Sequence, residues 1–331
     1  MTKPLKAPFP YFGGKSKVAD IIWNALGDVD NYVEPFAGSL AVLLARPHKP
    51  KIETVNDKDC MVANFWRALA SNPDAVAEQA DWPVNEADLE ARHYWLVSHK
   101  DDIRDKLGDP LWYDARAAGW WVWGISCWIG GGWCSGEGPH WHDGETWRTD
   151  AGQGVNRQRP HLGNAGQGVN RKLPHLGTAG QGINRKLPLH DYLNDLADRI
   201  RDVRVCCGDW SRICGPSVTF KHGMTGVFLD PPYSNDERAS GIYAEDCGKV
   251  AADVTAWALD MGKRDDMRIV VAGYDVEHRA LESVGWRSQA WKANGGYGGG
   301  KGGDGDINKH RETLWFSPAC LDNARQQEMF A

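Results

Sequence analysis

Hydrophobic and polar residues alternate in two different periods along the first seventy residues. Residues 18–26 carry apolar side chains at helical spacing, and residues 31–36 form a short strand-like run that ends at a proline. Residues 40–44 and 61–69 predict two further helices, and residues 51–55 predict a second strand between them. Strands and helices that alternate at these lengths predict parallel strand pairing.

The same alternation returns near residue 203. Residues 203–207, 226–229 and 267–272 predict strands, and residues 250–261 predict an apolar-periodic helix. Residues 312–316 predict a final edge strand. The pattern therefore indicates an α/β protein at both ends of the chain.

The middle of the chain, residues 71–202, does not continue this rhythm. Residues 112–147 hold eight of the seventeen tryptophans, and three imperfect copies of a 14-residue glycine-rich sequence follow at residues 151–192. Copies this few and this glycine-rich predict a patterned surface loop rather than a solenoid. We therefore expect one α/β catalytic domain, residues 1–70 and 203–331, that is split by an insert.

Composition limits the class of protein. The 331 residues are 42% hydrophobic, which supplies a core, and no apolar stretch approaches the length of a membrane span. We expect a soluble, cytoplasmic monomer, because the N-terminus also lacks an apolar leader. The only conceivable zinc ligands are Cys127, Cys134, His140 and His142, whose spacing fits no standard finger, so we expect no metal.

The most specific short motif is Asp230-Pro231-Pro232-Tyr233, directly after the apolar run 226–229. Two prolines cannot continue a strand ladder, so they make a stiff exit from the sheet. An acid and an aromatic ring would then sit at the edge where open α/β sheets bind ligands. The alternative is an ordinary turn that starts with an aspartate.

Three weaker elements lie upstream. A glycine after the first strand, Gly38, lets a ligand approach the backbone, and Asp57 ends the second strand where a carboxylate could hold a ribose diol. As a lone acid Asp57 would more often cap a helix. Residues 10–15 place paired glycines before Lys15, which suits an anion, although the spacing of a P-loop is not met.

In this order the motifs resemble the Dam-type DNA adenine-N6 methyltransferases, which use S-adenosylmethionine (AdoMet). The residues that carry the resemblance are Tyr11 to Lys15 for an aromatic-x-G-G-K opening, Glu34 to Gly38 for E-P-F-x-G, Asp57 for an acid after the second strand, Asp209-Trp210 for an acid–aromatic pair, Asp230 to Tyr233 for D-P-P-Y, and residues 312–317 for the closing strand. The resemblance covers about residues 8–70 and 203–318. This chain departs from the family in having Leu40 where a small residue is usual and Trp210 where phenylalanine is commoner.

The resemblance implies a fold and a site. The fold would be a Rossmann-like, doubly wound, mostly parallel sheet with an antiparallel edge and an inserted target-recognition domain at residues 71–202. The implied cofactor contacts are Asp57 to the ribose, Asp209 and Trp210 to the adenine moiety, and Tyr11, Lys15, Glu34, Phe36 and Gly38 around the rest of AdoMet. Asp230 and the Pro231 carbonyl would accept hydrogen bonds from the N6 amine of the target adenine, and Tyr233 would stack on the extruded base.

The predicted partner is double-stranded DNA. Residues 151–190 carry no acid and six basic side chains, namely Arg157, Arg159, Arg171, Lys172, Arg185 and Lys186. These suit phosphates better than bases, and the alternative is a polar loop without DNA contacts. Tryptophans 120, 121, 123 and 128 are most simply the core of the insert, and the alternative is a wedge into DNA.

Several functions remain open from sequence alone. The rival enzyme methylates another amine, either cytosine N4 or an RNA adenine, whereas a protein-glutamine methyltransferase would be expected to have asparagine in place of Asp230. The rival from another class is a DNA-binding protein built on a decayed methylase. The recognition sequence is not predicted, and restriction–modification, host regulation and phage protection are equally compatible with the motifs.

Overall fold

The structure is a computed structural model that describes residues 5–9, 11, 14–128, 133–134, 140–142, 147–149, 189–232, 242–291 and 312–322. The chain divides into two compact units. Residues 1–11 and 59–201 form the first, called here the helical unit, and residues 12–58 and 202–331 form the second, called the sheet unit. The change of unit after Lys58 comes earlier than the domain boundary predicted after residue 70, and the predicted role of residues 71–202 in target recognition stays a prediction.

The strands fall into a seven-stranded sheet in the sheet unit and a small hairpin in the helical unit. In chain order they are β1 (Asn31–Glu34), β2 (Ile52–Asp57), β3 (His140–His142), β4 (Trp147–Thr149), β5 (Arg204–Cys207), β6 (Thr225–Leu229), β7 (Met267–Tyr274), β8 (Arg287–Ala290) and β9 (Glu312–Phe316). The large sheet has the order β5-β2-β1-β6-β7-β9-β8, and β3 pairs with β4. Its first five strands are parallel, and β9 is antiparallel to both of its neighbours.

This topology confirms the predicted doubly wound, mostly parallel sheet with an antiparallel edge. The strand order reverses between β1 and β6, because the chain moves outward to β2 on one side and to β7 on the other. Every residue of β1, β6 and β9 is buried, as expected for strands covered on both faces. Ligands of such sheets bind beyond the carboxyl ends of the strands at the reversal point.

One strand prediction is wrong in position. Residues 312–316 form β9, which lies inside the sheet between β7 and β8 rather than at its edge. The edge strand is β8, whose four residues are all exposed. Its sequence, Arg-Ser-Gln-Ala, has no alternation of apolar and polar residues, so the periodicity gave no signal for it.

The helices of the sheet unit pack on this sheet. They are α1 (Ala19–Leu26), α2 (Ala41–Leu44) and α9 (Ile242–Met261). The buried face of α1 carries Ile22, Trp23 and Leu26, and the Trp23 indole donates a hydrogen bond of 2.7 Å to the carbonyl of Val42 in α2. The helical spacing of the sequence had predicted both α1 and α2.

The helical unit contains α3 (Cys60–Ser71), α4 (Pro73–Ala80), α5 (Glu86–Ser98), α6 (Lys100–Lys106), α7 (Ala115–Cys127) and α8 (Leu189–Ile200). Four of these helices begin at an aspartate or asparagine whose side chain accepts a backbone N–H of the first turn. These caps are Asp59, Asn72, Asn85 and Asp114. Each such cap stabilises its helix by about 1 kcal/mol.

Aromatic rings form the core of the helical unit. Phe9 contacts Trp121 of α7 edge-on at 4.8 Å between ring centroids, and it contacts Phe65 of α3 at 5.5 Å. Trp121 and Trp123 are buried, as expected for core residues, and Trp120 and Trp128 are half-buried. Within the part of the chain that the structure describes, no helix combines the length and apolar character needed to cross a membrane.

Candidate active site

One edge of the large sheet collects the polar residues that the motifs had singled out. β1 ends at Glu34, β2 ends at Asp57, and Asp230 directly follows β6. Because β9 runs antiparallel, its first residue, Glu312, pairs with the last residue of β7, Tyr274, and lies at this same edge. The edge is the one at which doubly wound sheets bind ligands.

Asp230 is held by a buried lysine. The Lys15 ammonium lies 2.8 Å from Oδ1 of Asp230 and 3.8 Å from Oε2 of Glu312, and only 2% of the lysine side chain is exposed. The ring of Trp291 lies 5.8 Å from the same ammonium. The sequence had pointed Lys15 toward the cofactor, and it contained no signal for its pairing with Asp230 and Glu312.

The corner after β6 is rigid at its first proline. Pro231 is buried and Pro232 is exposed, so the first proline is fixed by packing and the second faces solvent. Neither residue donates a backbone hydrogen bond, which ends the β6 ladder at Leu229. Tyr233 lies outside the described residues, and its stacking on a base stays a prediction.

Glu34 is a buried acid beside this corner. It is 2% exposed, and the Tyr32 hydroxyl donates a hydrogen bond of 3.0 Å to its Oε2. Burial raises the pKa of Glu34 to about 8, and the negative charge of Asp230 acts in the same direction. Glu34 is therefore mainly neutral at pH 7, and it adds little negative charge to the edge.

The loops after β1, β2 and β5 are tied together by hydrogen bonds. The Gly38 N–H donates to the Asp57 carboxylate at 2.9 Å. The Asn56 side-chain amide donates to the carbonyls of Pro35 and Gly208 at 3.1 and 3.0 Å. These bonds fix the strand ends relative to one another.

The loop after β1 also explains one departure from the family pattern. Leu40, which stands where the family usually has a small residue, has φ of +56° and immediately precedes α2. This left-handed conformation is adopted readily by glycine and costs other residues about 1–2 kcal/mol. The Leu40 side chain is fully buried, and its apolar burial offsets that cost.

The acid–aromatic pair after β5 provides a flat surface. Asp209 caps the short 3-10 helix Trp210–Ile213, and the hydrogen bond from Ser211 lowers the pKa of Asp209. Trp210 is buried, and its ring stacks on Phe36 at 6.0 Å between centroids with 27° between the planes. Phe36 and Trp210 are both predicted cofactor-binding residues, and they come from motifs that are far apart in the chain. The structure brings the two rings together.

Comparison with known families matches one part of the chain to a family model. Residues 11–117 match the model of the D12 class N6 adenine-specific DNA methyltransferases. This part of the chain is therefore similar to the adenine-specific DNA methyltransferases that the motifs resemble. A comparison with curated proteins found no match to the chain.

The family match and the motifs overlap over part of the chain. The match includes the motifs from Tyr11 to Asp57 and continues to residue 117, beyond residue 70 where the first stretch of the motif resemblance ends. The D-P-P-Y half of the chain lies outside it, and its assignment rests on the motif at Asp230 and on the sheet. The family implies DNA as substrate and AdoMet as cofactor.

Tyr11 and the basic residues of the repeats complete the set of predicted site residues. Tyr11 belongs to the helical unit, where its ring contacts Phe9 edge-on. The six basic residues predicted to bind DNA lie outside the described residues.

The conceivable zinc ligands can be placed only in part. Cys127 and Cys134 are buried, and burial raises the pKa of the Cys127 thiol to about 12 and that of Cys134 well above its ordinary value. Two histidines, His140 and His142, lie in β3. No three potential metal ligands gather among the residues that the structure describes.

Proposed function

We propose that the enzyme methylates the N6 amine of an adenine that has been extruded from duplex DNA, with Asp230 as the catalytic carboxylate. The adenine amine is a poor nucleophile, because its lone pair is delocalised into the ring. When the Asp230 carboxylate and the Pro231 carbonyl each accept a hydrogen bond from one N6 hydrogen, they draw that lone pair back to nitrogen. The same negative charge stabilises the positive charge that grows on N6 in the transition state.

A single observation supports this role most strongly. Asp230 is the acid at the carboxyl edge, beside the reversal of strand order, and Lys15 fixes one of its oxygens from within the protein. A surface turn would leave its aspartate to rotate in solvent. A fixed carboxylate next to a proline corner is instead suited to aligning a substrate amine.

The residues around the edge fit AdoMet in chemistry. Asp57 and Asp209 supply carboxylates that suit hydroxyl and amine donors, and the Phe36–Trp210 ring pair supplies a flat apolar surface suited to a purine. AdoMet would supply a methyl group already activated by a sulfonium, so the protein needs no covalent nucleophile. We assign Asp57 to the ribose, Asp209 and Trp210 to the adenine moiety, and Glu34 and Gly38 to the neighbourhood of the methionine portion.

The target base must leave the helix, because its N6 atom is paired within the duplex. Extrusion costs a few kcal/mol, and stacking on an aromatic side chain returns part of that free energy. We assign this stacking to Tyr233, the aromatic residue of the motif. Over the reaction N6 loses one proton, and Asp230 is the carboxylate that would accept it.

Replacing Asp230 by asparagine tests the proposal. Asp230→Asn keeps the shape of the side chain and removes its charge, so turnover should fall by about 10²- to 10³-fold. Methyl transfer from labelled AdoMet to duplex DNA measures turnover, and calorimetry should show AdoMet affinity changed by less than about threefold. The matched control is Asp265→Asn at an exposed position of the same unit, which should leave both values unchanged.

The chemical form of the product distinguishes the rival reactions. Label recovered as N6-methyladenine supports the proposal, and label recovered as N4-methylcytosine overturns it. Turnover of Asp230→Asn close to that of the unmodified enzyme would show that another group performs the chemistry.

We also infer that the basic side chains of the repeats contact DNA phosphates. The six residues, Arg157, Arg159, Arg171, Lys172, Arg185 and Lys186, carry +6 in a chain with a net charge of −6. Replacing them by glutamine should reduce the salt dependence of DNA binding by about one logarithmic unit per lost phosphate contact. Fluorescence anisotropy at several salt concentrations measures this slope, and an unchanged slope would place the repeats away from DNA.

A further inference from the structure

Lys15 connects two carboxylates rather than one. Its ammonium contacts Asp230 at 2.8 Å and Glu312 at 3.8 Å, and the side chains of Lys15 and Glu312 are 2% and 8% exposed. Asp230 is the most accessible of the three, with 19% of its side chain exposed. The trio is therefore a buried ion cluster that opens toward solvent at Asp230.

Glu312 is fixed in this cluster by the backbone of the sheet. It is the first residue of β9 and pairs with Tyr274 of β7, and its carbonyl accepts a hydrogen bond of 2.9 Å from the Trp291 N–H. These bonds use only the main chain of Glu312. The carboxylate is therefore not required for strand pairing, although it has been placed within reach of Lys15.

The signs of the charges indicate what the second carboxylate does. A lysine paired with Asp230 alone would neutralise it, and a neutralised carboxylate is a weaker hydrogen-bond acceptor. With Glu312 sharing the cation, the three groups carry a net charge of −1. A negative cluster stabilises the positive charge that develops on the substrate amine, and its effect is strongest where water is excluded.

We propose that Glu312 is a positioning residue for methyl transfer, acting through Lys15 to hold the Asp230 carboxylate in place and to keep the cluster negative. Lys15 is the link in this arrangement, because its ammonium contacts both acids. The inference rests on the proposed function and adds two positioning residues to it. It also gives Lys15 a role at the reacting carboxylate in addition to the cofactor role expected from its motif.

Single substitutions separate the two effects of the cluster. Glu312→Gln removes one negative charge and should lower kcat by about tenfold, while AdoMet affinity and KM for DNA change by less than about twofold. Lys15→Met removes the group that orients Asp230 and should lower kcat by about a hundredfold. Lys15→Arg, which retains the charge, should recover part of the loss. The control is Glu282→Gln, at an exposed position of the same unit, for which kcat should not change.

The double variant tests whether Glu312 acts through Lys15. If it does, Glu312→Gln should cost much less in the Lys15→Met background than in the unmodified enzyme, so the two effects should be strongly non-additive. Effects that multiply, or a Glu312→Gln enzyme with unchanged kcat, would overturn the proposal. A merely structural Glu312 would lower thermal stability and active fraction without this dependence on Lys15.

Two further variants, Glu312→Asp and Asp230→Asn, keep the result interpretable. If Glu312→Gln does not fold, Glu312→Asp retains the charge with one methylene less. It should fold with a kcat between those of the unmodified enzyme and Lys15→Met. An unchanged kcat, or a loss of kcat that is equally large in the Lys15→Met background, would overturn the proposal. An active Asp230→Asn enzyme would refute the proposed function itself, whereas an inactive Asp230→Asn beside an unaffected Glu312→Gln would refute only this inference.

Discussion

Two buried cations, one in each unit, have contrasting surroundings. In the sheet unit Lys15 faces the carboxylates of Asp230 and Glu312. In the helical unit the Arg92 guanidinium, 7% exposed, lies over tryptophan rings, at 4.4 Å from the centroid of Trp123. The other rings around it are Trp82 at 4.8 Å and Trp120 at 5.3 Å. One cation is held by charge and the other by aromatic packing.

The surroundings of a buried cation indicate whether its charge serves the proposed reaction or its side chain serves the packing of the core. A guanidinium stacked on indoles is stabilised by dispersion and by the ring quadrupole, and it needs no acid to neutralise it. A buried ion pair loses hydration that its attraction only partly restores, so apolar residues often stabilise a protein as well or better. The ion cluster lies at the one sheet edge to which the proposed reaction is assigned, which is where a retained charge has a use. Substitutions in the helical unit should therefore affect stability first, and those at the sheet edge should affect turnover or its pH dependence.

The largest effect on stability is expected at Trp121. Its ring is 2% exposed and contacts Phe9 at 4.8 Å and Phe65 at 5.9 Å, so Trp121→Ala leaves a large cavity in the aromatic core. The free energy of unfolding should fall by about 3–5 kcal/mol, as measured by urea denaturation. The control is Leu111→Ala at a position 87% exposed, which should change it by less than about 0.5 kcal/mol. A loss below about 1 kcal/mol at Trp121 would mean that the rings do not form a stabilising core.

Sequence periodicity predicted the parallel strands of the sheet unit, because these strands are short, apolar and separated by helices. It placed β1, β2, β5, β6 and β7, and the proline corner at Asp230 followed directly from its residue types. It failed where burial does not follow the apolar pattern. β8 is exposed on all four residues, and β9 acquired its internal place by pairing with β8.

The candidate site could be predicted by its motifs and only partly by its contacts. Asp57 and Asp230 were placed at strand ends by counting residues from apolar runs, and Asp209 was assigned by the family resemblance. The Lys15–Glu312 contact joins residues from opposite ends of the chain, and no local pattern records such a pair. The conformation of Leu40 and the raised pKa of Glu34 likewise depend on tertiary burial.

A smaller effect, spread over pH, is expected at Glu34. Its pKa is about 8 in the folded protein and about 4.5 when unfolded, so between these values only the folded state holds the proton. The stability that this proton contributes is fully present below pH 4.5 and is lost as pH rises toward 8. Glu34→Gln, which mimics the protonated acid, should therefore gain stability relative to the unmodified protein by up to about 1.4 kcal/mol per pH unit between pH 5 and 8.

Urea denaturation at intervals of one pH unit measures this difference, and Glu78→Gln, at an exposed position of the helical unit, should give a difference that does not vary with pH. A flat difference for Glu34→Gln would mean that Glu34 is ionised in the folded protein. The sheet edge would then hold one more negative charge near Asp230. Removing Glu312 would in that case still leave the edge negative, so the loss of kcat in Glu312→Gln should shrink in proportion. The dependence of the unfolding free energy on pH therefore shows whether Glu34 adds a negative charge to that of the ion cluster at the sheet edge.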